Sequence, residues 1–434
     1  MRQTRVTTWG RPMETVAVVG YDDFTEEYLG GRVGTREDVR FVPALTRQEV
    51  IIEDGGFPFE ARLDLAERRS REAGASAVIT YWDFPSSLIA PLLAERCGYP
   101  YASTTSVMRC EHKYWFRKEQ AEVIGTPRFC GFDPFADDPL AEITLDFPFW
   151  IKPVVGHSSM LGFEIARRED FDAALAEIRR DIGELTKPFV YPLGRVDLPE
   201  ELARRGATMC MAEELISKGE QYTIEGYVHR GEVVVYGAVA SMREPNGHTF
   251  SRYQYPADLP RETVARMEEI ATKIITRIGY DGCPFNMEFF LEPETGDLHV
   301  LEMNSRLSQS HSDLFHKVDG QPHEVLAVEL ALGRTPRWRR GAGRFDLAAK
   351  CFVRRWEDGV VRRVPGEAQL AALHEEQPET LVELKVAEGQ RLSELPEQEE
   401  YSYELADLFI GARDEAELLR KKDRAEAILD FEIG

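Results

Sequence analysis

Apolar and polar residues alternate over Phe285–Phe289 and again over Leu301–Asn304, with Pro293-Glu-Thr-Gly-Asp297 between the two stretches. A period of two is the signature of a strand with one packed and one polar face, and the Gly-containing break predicts a β-hairpin. Glu288 and Glu302 lie equally far from Thr295 at its centre, so antiparallel pairing sets them opposite one another. Asn304 shares a face with Glu302, while Leu301 and Met303 point into packing.

Elsewhere the pattern predicts three further textures. Thr15–Gly20 and Ala77–Tyr81 read as strands, and Leu63–Ala73 and Ser87–Arg96 have helical spacing, which together describe a small open α/β domain. No G-x-G-x-x-G follows the first strand, so a dinucleotide site is not expected. A basic, aromatic helix at His112–Lys118 and a strand at Phe149–Pro153 open a second lobe, and the aperiodic stretch Thr186–Gly206 reads as an insertion or lid. Strands at Tyr222–Val228 and Glu232–Ala240 then lead through a polar loop, Arg243–Pro256, into an amphipathic helix. That helix carries Val264, Met267, Ile270, Ile274 and Ile278 and stops at Gly279. Strands at Ala348–Arg354 and Val360–Val364 and a charged helix from Asp414 predict a C-terminal α+β cap. The expected units are therefore 1–110, 111–212, 213–340 and 341–434, a number in keeping with 434 residues.

Charge and cysteine usage narrow the function classes. A net charge of −23 argues against a nucleic-acid backbone or an anionic membrane as main partner, so any anion site has to be local. No apolar run reaches the roughly 18 residues needed to span a bilayer and no signal-peptide layout opens the chain, which predicts a cytoplasmic location. The six cysteines contain no C-x-x-C pair and are expected to be free, buried thiols.

The hairpin acids are the candidate chemistry. Glu288, Glu302 and Asn304 supply hard oxygen donors of the kind that hold Mg²⁺, with Mn²⁺ as a substitute, and the plain alternative is a solvated acidic face. Arg306 follows on the same face and offers a planar fork of donors to a phosphoryl or carboxylate group. Lys152 ends a strand before the loop Gly156-His-Ser-Ser-Met-Leu-Gly162, whose His157, Ser158 and Ser159 can turn toward phosphate oxygens; Lys113 is a second candidate cation. In Met211–Glu220 the backbone can read an adenine edge and Glu220 can accept from ribose hydroxyls.

Taken in order, these pieces resemble the ATP-grasp superfamily of ligases. The resemblance rests on Lys113, Lys152, the Ser-rich loop, Glu213-Glu-x-Ile216 with Glu220, and Glu288 followed by Glu302-x-Asn-x-Arg306, and it covers nearly the whole chain. It implies an N-terminal open α/β (pre-ATP-grasp) domain, a small mobile lobe, a central antiparallel-sheet lobe and the α+β cap. By that likeness Lys113 and Lys152 contact ATP phosphates, Glu213, Glu214 and Ile216 the adenine, and Glu220 the ribose, with Mg²⁺ on Glu288, Glu302 and Asn304. Biotin carboxylases share the Glu-x-Asn-x-Arg strand, but Ser310 stands where they carry a catalytic glutamate. The chain is more similar to the amino-acid ligases that make dipeptides. That implies a carboxylate–amine ligase acting through an acyl phosphate on small carboxylate and amine substrates, in a possible homodimer. His248, Arg252, Arg306, Ser308 and His311 are then expected to border the substrate cleft, with Arg306 and Lys152 acting in catalysis. A catalytically silent nucleotide-binding regulator is the reading from another class.

Overall fold

In the N-terminal unit, β1 (Glu14–Tyr21), β2 (Val39–Thr46) and β3 (Ala77–Ile79) pair in parallel in the order β2-β1-β3. Both faces of β1 and β3 are covered, which is why their residues are apolar without alternation. Ala17, Val19 and Val78 meet the helices Phe59–Glu72 and Ser86–Cys97, whereas Val16, Val18, Ala77 and Ile79 pack on Ala327, Val328 and Ala331 of a helix far along the chain, Glu324–Ala331. The computed structural model describes residues 13–25, 29, 38–52, 57–156, 160–216, 219–247, 249–395 and 402–434.

Next come β4 (Phe129–Phe132), β5 (Phe149–Pro153), β6 (Phe163–Ile165) and β7 (Cys210–Glu214), an antiparallel sheet in the order β4-β7-β5-β6. Helix Arg168–Thr186 lays Phe171, Leu175, Ile178 and Ile182 on Phe149, Ile151, Ile165 and Ala212. The stretch after it, expected as an insertion or lid, packs as a strut. Phe189 is 1 % exposed and stacks on Phe84 with ring centroids 3.6 Å apart, and Tyr191 stacks on Phe59 at 5.3 Å. Aromatic burial of this size fixes the small sheet to the N-terminal unit rather than leaving the segment free to swing.

The third layer is one sheet of eight strands. It is built from β8 (Glu220–His229), β9 (Glu232–Arg243), β10 (Phe250–Tyr255), β11 (Pro284–Leu291), β12 (Leu298–Asn304) and β13 (Leu347–Arg355), and completed by β15 (Leu381–Leu384) and β16 (Tyr403–Ala412). The spatial order is β12-β11-β8-β9-β10-β13-β16-β15, while β14 (Val361–Arg363) and β17 (Glu432–Ile433) form a separate ribbon. The stretch expected as a polar loop therefore contains β10, which joins the central strands to the cap in a continuous sheet. Its polar residues misled because both faces of that strand carry hydrogen-bonding side chains.

One face of this sheet is a core. Ile224, Phe285, Met287, Phe289 and Met303 pack against Met267, Ala271, Ile274, Ile275 and Ile278 of helix Arg261–Ile278, which ends at Gly279 with φ +75°, a conformation that favours glycine. The opposite face is polar at Gln221, Glu288, Glu302 and Asn304, and apolar where Tyr227, Tyr236 and Val239 pack on Leu314, Phe315 and Leu326. Strand alternation decides the split. All six cysteines are free; Cys97 and Cys130 are half-buried rather than buried. Among the described residues no helix is long and apolar enough to cross a membrane.

Removing the Phe189 ring should leave a cavity at the strut. Phe189→Ala is expected to lower the unfolding free energy by about 3 kcal/mol, read as a fall in the urea midpoint; a shift below a third of that would show that the strut does not bind the units together.

Candidate active site

The hairpin pairs as its alternation requires. Glu288 lies opposite Glu302 and Asn286 opposite Asn304, with a bulge immediately after Glu288. The Asn304 Nδ2 donates to Asn286 Oδ1 at 2.8 Å, and the Asn286 Nδ2 donates to the Arg306 carbonyl at 3.3 Å. This chain of amides turns Asn304 Oδ1 outward as an acceptor beside the two carboxylates. Gln221, in the next strand, donates its Nε2 to Glu288 Oε2 at 2.9 Å.

Two carboxylates so close cannot both ionise freely. Burial, then Glu302, pushes the Glu288 carboxyl up to about 7. Glu302 is held below its ordinary value because Lys113 outweighs burial, helped by Lys152 and Arg306. The Lys113 Nζ stands 3.3 Å from Glu302 Oε2, placed there because its helix, Lys113–Ala121, begins against the end of β5: the Lys113 amide donates to the Val154 carbonyl at 2.7 Å. Among the described residues no three His, Cys, Asp or Glu side chains cluster as a metal site. The donors available are two carboxylates and an amide oxygen. That set, with an unrelieved like-charge pair, fits Mg²⁺ completed by phosphate oxygens and water.

Each cleft cation has an acidic partner. Lys152 Nζ lies 2.5 Å from Glu213 Oε1, and Arg117, which is fully buried, donates to Glu213 Oε2 at 2.9 Å and to the Val300 carbonyl of the hairpin at 2.8 Å. Burial would raise Glu213, but Lys152 and Arg117 together hold it below its usual value. Burial also lowers Lys152, against the pull of Glu213. Arg306 is clamped by a residue of the N-terminal unit: its Nε donates to Asp83 Oδ1 at 2.7 Å and its Nη2 to Oδ2 at 2.6 Å. Ser305 donates to the half-buried Glu111 at 2.9 Å. Neither Asp83 nor Glu111 stood out in the sequence, since nothing local marks a loop acid as the partner of Arg306 or the last residue of a helix as the partner of Ser305.

The remaining expectations divide. Lys113, Lys152, Glu288, Glu302, Asn304 and Arg306 meet in one cleft. The Glu213 side chain turns to Lys152, 2.5 Å away, and Glu214 is tied to Arg128 at 2.6 Å. Ile216 lies on the link between the two sheets, and Glu220, at the start of β8, accepts from Tyr222 at 2.7 Å. His157, Ser158, Ser159 and His248 lie outside the described residues.

Arg252 is a correction. It pairs in register with Cys351 on the cap side of β10 and bonds Gln254 and Glu415, so it faces away from Arg306. Tyr253, one residue on, has the cleft face, its ring centroid 5.5 Å from that of His311 in an edge-on arrangement. Ser308 contributes its carbonyl to His323 Nε2 at 2.9 Å, and Ser310 Oγ lies 3.4 Å from Lys350 Nζ. His311 is buried, its Nδ1 2.7 Å from Glu225 Oε1, which makes it a prop for the Arg306 loop rather than an exposed ligand.

Comparison with known proteins bears on this geometry. The sequence profile of the ATP-grasp domain matches residues 145–312. The large chain of carbamoyl phosphate synthase from Kocuria rhizophila is 43 % identical over 70 residues, 16 % of this chain and 6 % of that protein. The large chain from Kineococcus radiotolerans is 30 % identical over 193 residues, 43 % of this chain and 16 % of its own length. The chain thus spans less than a fifth of the length of either relative. Among solved structures, an L-amino acid ligase from Bacillus licheniformis superposes with a TM-score of 0.71 at 17 % identity, covering 98 % of this chain and all (100 %) of that one. A biotin carboxylase from Campylobacter jejuni gives 0.63 at 14 % identity over 97 % and 92 %. Whole-chain similarity of this kind identifies the ATP-grasp fold.

The Glu288 and Glu302 pair gives a signed test. A carboxyl raised in the fold from 4.5 to about 7 penalises the ionised folded protein, so the penalty is absent below pH 4.5 and complete above about pH 7. In EDTA at pH 8, Glu288→Gln should therefore stabilise the protein by about 1–3 kcal/mol, a gain that disappears near pH 4.5, while abolishing the rise in melting temperature caused by Mg²⁺. A variant as stable as wild type at both pH values, or one still stabilised by Mg²⁺, would contradict the assignment.

Proposed function

With residues 145–312 forming an ATP-grasp domain, we propose that the chain is an ATP-dependent ligase that joins a carboxylate to an amine and releases ADP and phosphate. The observation that carries this reading is the Glu288 and Glu302 pair facing Lys113, Lys152 and Arg306 where the three units meet. Such a site is built to stabilise moving phosphoryl charge.

Glu288, Glu302 and Asn304 would hold Mg²⁺, with Mn²⁺ as the substitute to be tried. Bound there, the metal would supply charge neutralisation and a fixed position for phosphate oxygens. Lys152, steered by Glu213, and Lys113, steered by Glu302, would hold the nucleotide phosphates. The link through Ile216, with Glu220 beyond it, would hold the nucleoside through backbone and ribose contacts. Arg306 would bind the acyl group as the substrate carboxylate attacks the γ-phosphorus, and keep the resulting acyl phosphate in place until an amine displaces phosphate from the carbonyl carbon. Exclusion of water matters because hydrolysis of that intermediate would waste ATP.

A biotin-carboxylase-like activity is disfavoured by Ser310, which faces Lys350 and provides no carboxylate base. A silent regulator is disfavoured because the acids and cations of the site are all present and mutually placed. Amino-acid-like substrates are the class suggested by the fold likeness, and the unit boundaries at 110, 212 and 340 are proposed as the limits of its pieces.

The test is a screen with pooled L-amino acids as acyl probe and hydroxylamine as amine, with and without Mg²⁺. Wild type should release ADP and form hydroxamate in proportion, and bicarbonate with biotin should not stimulate it. Arg306→Ala should lower kcat by about 100-fold while leaving the KM for ATP nearly unchanged. ADP release driven by biotin and bicarbonate would overturn the reading in favour of carboxylation, and bound ATP with no turnover in any pool would favour the regulator.

A further inference from the structure

The three cations of the cleft are held by three different kinds of acid. Glu213 is 3 % exposed and fixed from its other side by Arg117, so Lys152 cannot lose it cheaply. Glu302 is fixed in a strand ladder and belongs to the metal donors. Asp83 differs from both: its side chain is 43 % exposed, and it sits in the connection after β3, outside any ladder. Yet it takes two of the fork's donors, Nε and Nη2, in a bidentate grip, and Arg306 Nη1 is turned to the Leu307 carbonyl at 3.3 Å. In this arrangement Arg306 has no free fork with which to bind an acyl carboxylate.

We propose that Asp83 is a resident stand-in for the substrate carboxylate, which the substrate must displace from Arg306, and that this exchange couples ATP cleavage to the presence of the carboxylate that accepts the phosphoryl group. The inference rests on the reading of Arg306 as the acyl-binding residue. Exchange of one carboxylate for another leaves the charge of the cleft unchanged, so it proceeds without exposing an unpaired buried guanidinium, which would be costly. While Asp83 is in place, the positive charge of Arg306 is already neutralised and contributes little to the charge developing on a transferring phosphoryl group. Water then meets a site with one effective cation fewer. When the substrate carboxylate replaces Asp83, the attacking oxygen arrives on the same guanidinium that supports transfer. Of the three acids Asp83 has the most exposed side chain, 43 % against 34 % for Glu302 and 4 % for Glu213, and it lies outside any strand ladder, which leaves it the one able to move aside.

The experiment measures ADP release without any carboxylate, and the KM for pooled L-amino acids as acyl probe with hydroxylamine as amine. It uses the full chain as wild type, Asp83→Asn and Asp83→Glu. Asp83→Asn keeps the shape but removes the competing charge. It should raise carboxylate-independent ADP release about tenfold and lower the KM for the acyl probe several-fold, with the KM for ATP within twofold. Asp83→Glu retains the charge and should keep uncoupled hydrolysis near the wild-type rate, which also guards against an effect of altered folding. A purely structural role would lower kcat for both asparagine and glutamate variants without uncoupling, and that result overturns the proposal. A raised KM for the acyl probe in Asp83→Asn also overturns it, since Asp83 would then be helping substrate to bind. If wild type shows no acyl-dependent turnover at all, the ligase reading itself fails; if wild type is coupled and Asp83→Asn behaves identically, only the latch fails.

Discussion

Glu288 and Glu302 face one another across a single step of strand pairing, and the rest of the cleft is organised around the cost of that placement. Burial and mutual repulsion raise Glu288 to about 7, and only the nearness of Lys113, Lys152 and Arg306 keeps its partner ionised. Those cations cannot themselves stand unpaired in a buried place. Lys152 is therefore matched by Glu213, and Arg306 by Asp83. Glu213 in turn needs Arg117, whose remaining donors reach the carbonyls of the hairpin that carries the two acids. The ion-pair chain starts and ends on the same two strands.

Such a chain explains why the architecture has to bring three units together. Lys152 comes from the small sheet, Lys113 and Arg117 from the helix that leads into it, Asp83 from the N-terminal unit, and the acids and Arg306 from the large sheet. The strut around Phe189 and the packing of helix Glu324–Ala331 on β1 and β3 hold those contributors in register. Ångström-scale placement of charge is what phosphoryl chemistry demands of a protein. Asp83, the most exposed of the three acids, is the one proposed to exchange with an incoming anion.

The hairpin was legible because strand alternation and a single turn determine which residues oppose each other. The same logic located the helix ending at Gly279 and the Lys113 helix. It failed where a residue's role depends on a partner from another unit. The pairing of Glu213 with Lys152 was not foreseen, because its face on β7 is decided by the packing of Ala212 and Cys210 on the other side. Arg252 was placed one position out of phase because β10 was hidden in a polar stretch, and shifting by one residue along a strand exchanges cleft for cap. Asp83, Glu111 and Glu225 carry no local signature; only tertiary pairing with Arg306, Ser305 and His311 reveals them.

The central claim is that a carboxylate oxygen attacks the γ-phosphorus of ATP within this cleft. The direct measurement is turnover with ¹⁸O-labelled acyl carboxylate, followed by mass analysis of the phosphate released. Transfer of one ¹⁸O atom into phosphate for each ADP formed is the predicted result, because the bridging oxygen of an acyl phosphate leaves with phosphorus when the amine attacks carbon. Phosphate that carries no label while amide accumulates would contradict the account.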